Sequence, residues 1–207
     1  MPTVIIGNNT GDDYSGTEDA YIYANQTDNN YSENIWLYLY PSSERVNVLL
    51  KFSGIESLPD NINVSSALLY LYNNGLANPA EFRRLLRNWI ENDATYNIYS
   101  TGNSWSTSGA MSNDNDRISA TSLSYTFPGS TGYISPGDLA SDIDGMTSGT
   151  YNNYGWVIEA TGGDSWGTFA SSENTDGQRP YLSVTYTESG VSSLPAIINN
   201  YRQQGVM

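Results

Sequence analysis

The sequence contains no cysteine and no histidine, and its only lysine is Lys51. Without cysteine there is no disulfide framework and no thiolate for metal binding or nucleophilic attack. Without histidine, the Ser-His-Asp and Cys-His catalytic arrangements and the histidine-based zinc sites are excluded. A phosphate-binding loop ending in Gly-Lys-Ser is excluded as well, because Lys51 lies in a strand-like segment. We therefore expect a protein that is not an enzyme.

Basic residues are scarce in general. The 207 residues include 8 basic and 22 acidic side chains, which leaves a net charge of −14 at pH 7. Binding to a phosphate backbone depends on lysine and arginine, so nucleic acid is not an expected partner. No apolar run approaches the roughly 20 residues that span a bilayer, so membrane insertion is not expected. The first seven residues lack a basic residue and a long apolar core, and we do not expect a secretory signal there.

Helix-forming runs are also few, whereas aromatic and turn-forming residues are abundant. Aromatic residues make up 13% of the chain, with 17 tyrosines, and Gly, Asn, Ser and Thr separate short alternating segments. The predicted strands cover residues 20–24, 34–40, 46–52, 64–72, 81–89, 94–99, 119–127, 154–160, 166–170 and 180–187. One short helix is predicted at 136–145, where Leu139 and Ile143 share a face. This pattern predicts an all-β fold, a two-sheet antiparallel jelly-roll β-sandwich with one short helix, a C-terminal extension, and its first and last strands side by side.

Five motifs occur in an order that resembles the DNRLRE domain family. They are residues 46–52, residues 64–72, Trp89-Ile-Glu91 with Thr95, residues 151–156, and residues 179–186 preceded by Phe169-Ala-Ser-Ser-Glu173. The family favours tryptophan after the threonine of its Trp-x-Glu motif, whereas Tyr96 stands here. The family includes bacterial carbohydrate-binding modules of jelly-roll form, so the resemblance implies this fold and a surface role, and no reaction. It also implies that Glu91 belongs to a fold motif and that Trp89 and Trp156 lie in the core.

The chain divides into three predicted parts. These are an N-terminal segment at 1–18, a jelly-roll module at 19–187, and a linker with a C-terminal docking arm at 188–207. A short helix in the arm would place Ile197, Ile198 and Tyr201 on one side, which is too few apolar residues to keep it folded alone. Two interpretations stay open, a terminus that packs on its own domain and an arm that fastens the module to a neighbouring subunit.

Aromatic and aliphatic residues alternate in the segment 34–40. If Ile35, Leu37 and Leu39 face the core, the intervening aromatic rings face outward, because side chains alternate along a strand. The same pattern recurs twice, and the glycan-binding or interface candidates are Tyr21, Tyr23, Trp36, Tyr38, Tyr40, Tyr70 and Tyr72. Three roles stay open for these rings: stacking on sugars, a subunit interface, or packing in the core or under a loop.

Acidic loops provide candidate metal ligands. The candidates are Asp114, Asp116, Asp142 and Asp144. Their oxygens suit Ca²⁺, which is the one cofactor that the sequence suggests. No EF-hand loop is complete, and solvated acidic loops are the competing interpretation.

Two functions fit these features. The first is a non-catalytic virion surface or structural protein, such as a phage head decoration, fibre or tail component, with other shell subunits as partners and a homo-oligomeric state. The missing secretory signal and the docking arm favour it. The alternative is a carbohydrate-binding module of a bacterial polysaccharide-degrading or adhesion system, located outside the cell or at the cell surface. The family resemblance and the aromatic stripe favour this second function, with neutral glycans preferred because of the negative charge.

Overall fold

Short alternating segments of the chain form strands in two antiparallel sheets. The computed structural model describes residues 1–7, 16–175 and 177–188. In chain order these residues form β1 (Thr3–Gly7), β2 (Thr17–Tyr23), β3 (Trp36–Leu39), β4 (Val46–Phe52), a 3-10 helix (Ser53–Ser57), β5 (Ile62–Asn74), β6 (Pro79–Arg84), β7 (Ile98–Ser100), β8 (Asn103–Ser104), β9 (Leu123–Thr126), β10 (Gly132–Asp138), α1 (Ala140–Thr147), β11 (Trp156–Ala160), β12 (Gly167–Ala170) and β13 (Tyr181–Glu188). No helix among them is long and apolar enough to cross a membrane.

Each sheet has its own strand order. Sheet A runs β1-β13-β5-β12-β3, with β10 also paired to β5, and sheet B runs β2-β4-β11-β6-β9. Strands β7 and β8 form a separate two-stranded ribbon. Thr3 of β1 lies opposite Thr185 of β13 in an antiparallel register, so the first and last strands lie side by side as predicted. The predicted all-β sandwich is confirmed.

The main core fills the space between the two sheets. Leu37 and Leu39 of β3, Phe82 of β6 and Trp156 of β11 are fully or almost fully buried there. Complete burial of a side chain of this size contributes about 1.5–3 kcal/mol. The alternation of buried and half-exposed residues along β3 and β5 follows from the pleat of a strand with one face on this core.

A second core lies on the outer face of sheet B, under the long connection 85–122. Side chains of β2, β4 and β11 meet side chains of this connection, and the members are Ala20, Ile22, Leu49, Leu85, Trp89, Ala94, Trp105, Ala110 and Val157. Trp89 donates from Nε1 to the Tyr154 carbonyl at 2.9 Å, which satisfies its buried polar atom. Strands β4 and β11 are buried on both faces, so the second core covers the outer face of sheet B at these two strands. Trp89 and Trp156 lie in the core as the resemblance implied.

Three of the predicted strands differ most from the structure. The strand predicted at 81–89 ends at Arg84, the one at 119–127 shortens to Leu123–Thr126, and residues 94–97 are irregular. In the connection 85–122, several backbone N–H groups outside the β7–β8 ribbon bond to side chains, for example Ser106 N to Asp116 Oδ1 at 2.8 Å.

The helix also begins later than predicted, at Ala140, because residues 136–138 continue β10. Asp138 Oδ1 accepts the Ala140 N–H at 2.8 Å, which fixes the start of α1. Leu139 and Ile143 are buried in the main core, on one face as predicted. Alternation in the sequence did not predict β1, β8 or β10.

The predicted docking arm, with Ile197, Ile198 and Tyr201, lies outside the described residues. The boundaries at 18 and 187 therefore stay predictions, although β1 of the N-terminal segment pairs with β13.

Candidate functional site

Aromatic rings gather at the edge of the sandwich where β2 of sheet B approaches β3 of sheet A. We call this set the edge aromatic cluster, and its members are Tyr21, Tyr23, Tyr31, Tyr38, Tyr40 and Trp166. The two strands are the outermost strands of their sheets on this side. The cluster therefore lies where the two sheets leave an open margin.

Three tyrosines form the inner group of this cluster. The Tyr21 and Tyr31 rings are parallel, with centroids 4.2 Å apart and planes 13° apart. Tyr38 meets Tyr21 edge-on at 5.2 Å. Burial, with smaller effects of the Tyr31 and Tyr38 hydroxyls, raises the pKa of Tyr21 to about 12. Tyr21 is only 8% exposed, so it supports the other rings rather than offering its own face.

Trp166 is the most exposed ring of the cluster. It lies parallel to Tyr40, with centroids 4.2 Å apart, and Tyr23 meets it edge-on at 6.2 Å. Trp166 is 48% exposed. One face of the indole covers Tyr40, and about half of the residue stays accessible.

The next residue explains where Trp166 lies. Gly167 begins β12 opposite Leu39 of β3, and a Cβ on Gly167 would come 2.2 Å from the Leu76 Cα. Only glycine fits at this close approach. The pairing of β12 with β3 then carries Trp166 to the end of β3, beside Tyr40.

Amide side chains surround the rings. Asn25 donates to the Tyr23 hydroxyl at 3.2 Å, Asn29 donates to the Tyr31 hydroxyl at 3.3 Å, and Tyr31 donates to Gln26. A shallow cleft of about 280 Å³ beside Tyr31 is lined by Asn30, Tyr31, Glu33 and Asn34. Residues 21–40 and 161–170 contain no lysine or arginine and include Asp28, Glu33 and Asp164. The margin thus combines aromatic faces, amides and a slightly negative charge.

Four other tyrosines form a separate group on the outer face of sheet A. We call it the outer tyrosine cluster, and it comprises Tyr70, Tyr72, Tyr133 and Tyr181. Tyr70 and Tyr181 lie opposite each other in the sheet and stack with centroids 4.5 Å apart. Tyr133 meets Tyr72 and Tyr181 edge-on. These rings cover one another's faces, which is ordinary cross-strand packing.

The predicted candidates therefore fall in two places. Tyr21, Tyr23, Tyr38 and Tyr40 belong to the edge aromatic cluster, whereas Tyr70 and Tyr72 belong to the outer tyrosine cluster. Trp36 is half-buried and takes no part in either group, and its backbone N–H donates to Asn34 Oδ1 at 3.2 Å. Ile35, expected in the core with Leu37 and Leu39, is 51% exposed because it precedes β3.

Tyr31 and Trp166 were missed as site residues, although each is adjacent to a turn-rich segment. The same is true of Tyr133 and Tyr181. Local alternation selects rings at positions i and i+2 of one strand, and these four rings reach their clusters from other elements.

The four predicted metal ligands do not form one site. Asp116 accepts the Ser106 and Thr107 N–H groups at 2.8 and 2.9 Å, and Asp114 accepts the Ser119 N–H at 3.1 Å. Asp142 pairs with Arg84 at 3.1 Å, and Asp144 accepts the Val64 N–H at 3.1 Å. Within residues 1–7, 16–175 and 177–188, no three acidic side chains are arranged to hold a metal ion. Calcium stays a prediction from the sequence.

The charges of Glu91, Asp19 and Glu173 act on one another at β2. Glu91 Oε1 accepts the Asp19 N–H at 2.8 Å, and Asp19 Oδ2 accepts the Ser172 N–H at 2.8 Å. Burial, with the charge of Glu173 second, raises the pKa of the fully buried Asp19. Burial also raises the pKa of Glu91 to about 7, again with Glu173 contributing. Glu91 fastens its loop to β2, in keeping with a fold motif.

A two-sheet sandwich that presents stacked rings and amides at an open margin has the form of a β-sandwich binding module. The sequence profile of carbohydrate-binding module family 96 matches residues 12–186, most of the chain, so the protein belongs to this family. No curated protein matches the chain. The match supports the jelly-roll carbohydrate-binding module that the DNRLRE resemblance implied, although the matching family is not the DNRLRE family itself. Carbohydrate-binding modules are typically non-catalytic. It supports the alternative function predicted from the sequence and gives no support to a virion role.

Proposed function

We propose that this module binds a neutral polysaccharide through the edge aromatic cluster, without catalysing a reaction, outside the cell or at the cell surface. The observation that carries the proposal is Trp166, half-exposed and held flat against Tyr40. A pyranose stacks through its C–H groups on an aromatic ring that is held in place and accessible, and Trp166 has both properties. The Tyr40 stack holds this ring in place before the ligand arrives, which reduces the entropy lost on binding.

The surroundings of Trp166 provide the polar half of such a site. Tyr23 and Tyr31 turn their hydroxyl groups toward asparagine side chains, so hydroxyl and amide groups lie next to the rings. A sugar hydroxyl both donates and accepts hydrogen bonds, and amides offer both partners. Small-ligand sites typically combine aromatic rings with a small number of precisely oriented polar groups.

The negative charge of the margin favours neutral glycans over anionic ones. The margin contains acidic residues and no basic residue in residues 21–40 and 161–170, and the chain carries −14 overall. An anionic polymer approaching this surface would be repelled, more strongly at low salt. A neutral glycan avoids that cost, so we expect binding that changes little with ionic strength.

The experiment is a binding panel on the full chain. Affinity electrophoresis through gels containing neutral polysaccharides (xylan, glucomannan, β-glucan, galactomannan) is compared with gels containing alginate, pectate or no polymer, at low and high salt. Retardation by at least one neutral polymer at both salt concentrations supports the proposal. Retardation by acidic polymers alone would contradict the charge argument, and free migration in every gel would contradict the proposed function.

A further inference from the structure

The rings of the edge aromatic cluster form two layers along the strands. The Tyr31 layer comprises Tyr21, Tyr31 and Tyr38, and the Trp166 layer comprises Tyr23, Tyr40 and Trp166. Tyr21 and Tyr23 are two positions apart in β2, as are Tyr38 of β3 and Tyr40 just after it. Two positions of a strand span about 6.5–7 Å. The two layers are therefore separated by one such step.

Each layer has one ring that lies over another ring and stays accessible. In the Trp166 layer, the half-exposed Trp166 stacks on Tyr40. In the Tyr31 layer, the Tyr31 ring stacks on Tyr21 with centroids 4.2 Å apart. Tyr21 is almost fully buried, whereas Tyr31 is partly exposed. Tyr31 thus provides a second supported and accessible ring of the kind on which a sugar stacks.

Two neighbouring amide side chains hold the Tyr31 ring in position. The Tyr31 hydroxyl donates to Gln26 Oε1 and accepts from Asn29 Nδ2 at 3.3 Å. Asn29 also donates to the same Gln26 oxygen at 2.7 Å. The hydroxyl already has its partners, so the ring itself is what Tyr31 offers to a ligand. Because the ring is fixed at its hydroxyl and by the Tyr21 stack, little side-chain freedom is lost on binding.

The shallow cleft of about 280 Å³ beside this ring is formed by residues 30–34, and we call it the Tyr31 cleft. Asn30 fixes its wall, because Asn30 Nδ2 donates to the carbonyl oxygens of Glu91 and Ala94 at 2.7 and 2.9 Å. Pockets for small molecules begin at about 300 Å³. The Tyr31 cleft therefore suits one sugar ring that belongs to a longer ligand.

Glu33 is the accessible polar group of the Tyr31 cleft. It is exposed, and its carboxylate makes no hydrogen bond or ion pair with residues 1–7, 16–175 and 177–188. An ionised carboxylate only accepts hydrogen bonds, so its partner must be a donor. Residues 21–40 contain no lysine or arginine to fill that role. Two adjacent hydroxyls of a pyranose can donate to the two carboxylate oxygens while the ring packs on Tyr31.

We infer that the edge aromatic cluster binds two sugar residues of one chain, one on Trp166 and one in the Tyr31 cleft, where Glu33 selects the hydroxyl pattern. This inference rests on the proposed function and specifies its ligand. Because the two layers are separated by two strand positions, one sugar ring contacts only one of them. The module therefore recognises a stretch of an extended polysaccharide, and a short sugar fills only half of the site.

The test is isothermal titration calorimetry of the full chain with xylo-, cello- and manno-oligosaccharides, each as the di-, tetra- and hexasaccharide. In at least one series the affinity should rise about tenfold or more with length, because the second ring adds to the first. Tyr31→Ala should remove this gain and leave disaccharide binding within about twofold of the wild type, because Trp166 is intact.

Glu33→Ala tests the polar contact. It should lower the affinity for the hexasaccharide about fivefold, the loss expected for one hydrogen bond. Asp60→Ala is the matched control, because it removes an exposed acidic side chain outside the margin, and it should leave every affinity unchanged. Equal losses in Glu33→Ala and Asp60→Ala would show that Glu33 does not contact the sugar.

The outcomes separate this inference from the proposed function. If hexasaccharides bind no more tightly than disaccharides, or if Tyr31→Ala keeps the gain with length, the inference is wrong while polysaccharide binding at Trp166 still holds. If the wild type binds neither oligosaccharides nor polymers, both are wrong. Should Tyr31→Ala fail to fold, an NMR titration of the ¹⁵N-labelled wild type decides. A bound hexasaccharide that shifts the amide signals of residues 30–34 supports the inference, and unshifted signals overturn it.

Discussion

Trp166 lies flat against Tyr40, with ring centroids 4.2 Å and ring planes 11° apart. The two residues are far apart in the chain and meet because β12 pairs with β3, Thr168 opposite Tyr38. Trp166 precedes β12 and Tyr40 follows β3, so the contact lies just beyond the paired residues. The exposed ring is thus held by the sheet itself, although it belongs to a loop.

Trp166→Ala should lower the affinity for the best neutral polysaccharide about tenfold or more, because a central aromatic anchor contributes about 2 kcal/mol at a binding surface. Stability should change little, since Trp166 is half-exposed. The measurement is isothermal titration calorimetry with a soluble oligosaccharide of that polymer. Tyr133→Ala is the matched control, because it removes a partly exposed ring from the outer tyrosine cluster. Equal losses in both variants would mean that the edge aromatic cluster is not the site.

The stability of the module should fall as the pH rises through the neutral range because of Glu91. Its pKa is raised from 4.5 to about 7 in the folded protein, so the folded state binds the proton more tightly than the unfolded state. Stability from this group is therefore greatest at low pH and is lost between about pH 4.5 and 7, by about 1–2 kcal/mol after allowance for solvent screening. The neighbouring charges of Glu173, Glu18 and Lys51 are all included in this shift.

Chemical denaturation of the wild type and Glu91→Gln at pH 5 and pH 8 measures this effect. The glutamine retains an oxygen that can accept the Asp19 N–H and cannot ionise. The variant should lose less stability than the wild type between the two pH values. Identical pH dependence in both proteins would show that Glu91 does not titrate in this range.

Glu159 stabilises the outer face of sheet B through three arginines. Its Oε1 lies 2.5 Å from Arg117 Nη1 and 3.2 Å from Arg83 Nε, and its Oε2 lies 3.4 Å from Arg45 Nη1. Glu159→Ala should lower the free energy of unfolding by about 3–5 kcal/mol, because it leaves the buried Arg117 without its counterion. Arg45→Ala removes the most exposed partner, with 27% of its side chain accessible, and should cost less than about 1 kcal/mol. Urea denaturation measures the free energy of unfolding of both variants. Similar losses in Glu159→Ala and Arg45→Ala would contradict the expected difference.

The alternation of side chains was sufficient to predict much of the fold. Leu37 and Leu39 face the core and Tyr38 does not, because the pleat of a strand is a local property. The same rule failed between residues 85 and 122. There Trp89, Ala94 and Trp105 enter a core from irregular backbone. The indole N–H groups of the two tryptophans donate to the backbone carbonyl oxygens of Tyr154 and Thr95, which alternation along a strand does not predict.

The candidate site was predicted only in part for a related reason. Tyr38 and Tyr40 were identified from one strand, and Tyr21 and Tyr23 from another. Their contact with Trp166 depends on which strands are neighbours, which is a property of the whole topology. The packing of Arg84 against Tyr151 was not predicted at all, because it depends on Gly145 of α1, where a Cβ would come 2.1 Å from a Tyr151 ring carbon.

Asp116 should matter for stability and not for calcium binding. Its fully buried carboxylate accepts the N–H groups of Ser106 and Thr107 and lies 3.6 Å from Arg87 Nε. Asp116→Ala leaves these donors unpaired and should lower the free energy of unfolding by about 2–4 kcal/mol. The loss should be the same in EDTA and in excess calcium, because the oxygens already bond to the backbone. Asp116→Asn, which keeps one acceptor, should cost less. A loss seen only when calcium is present would instead place the predicted metal at this residue.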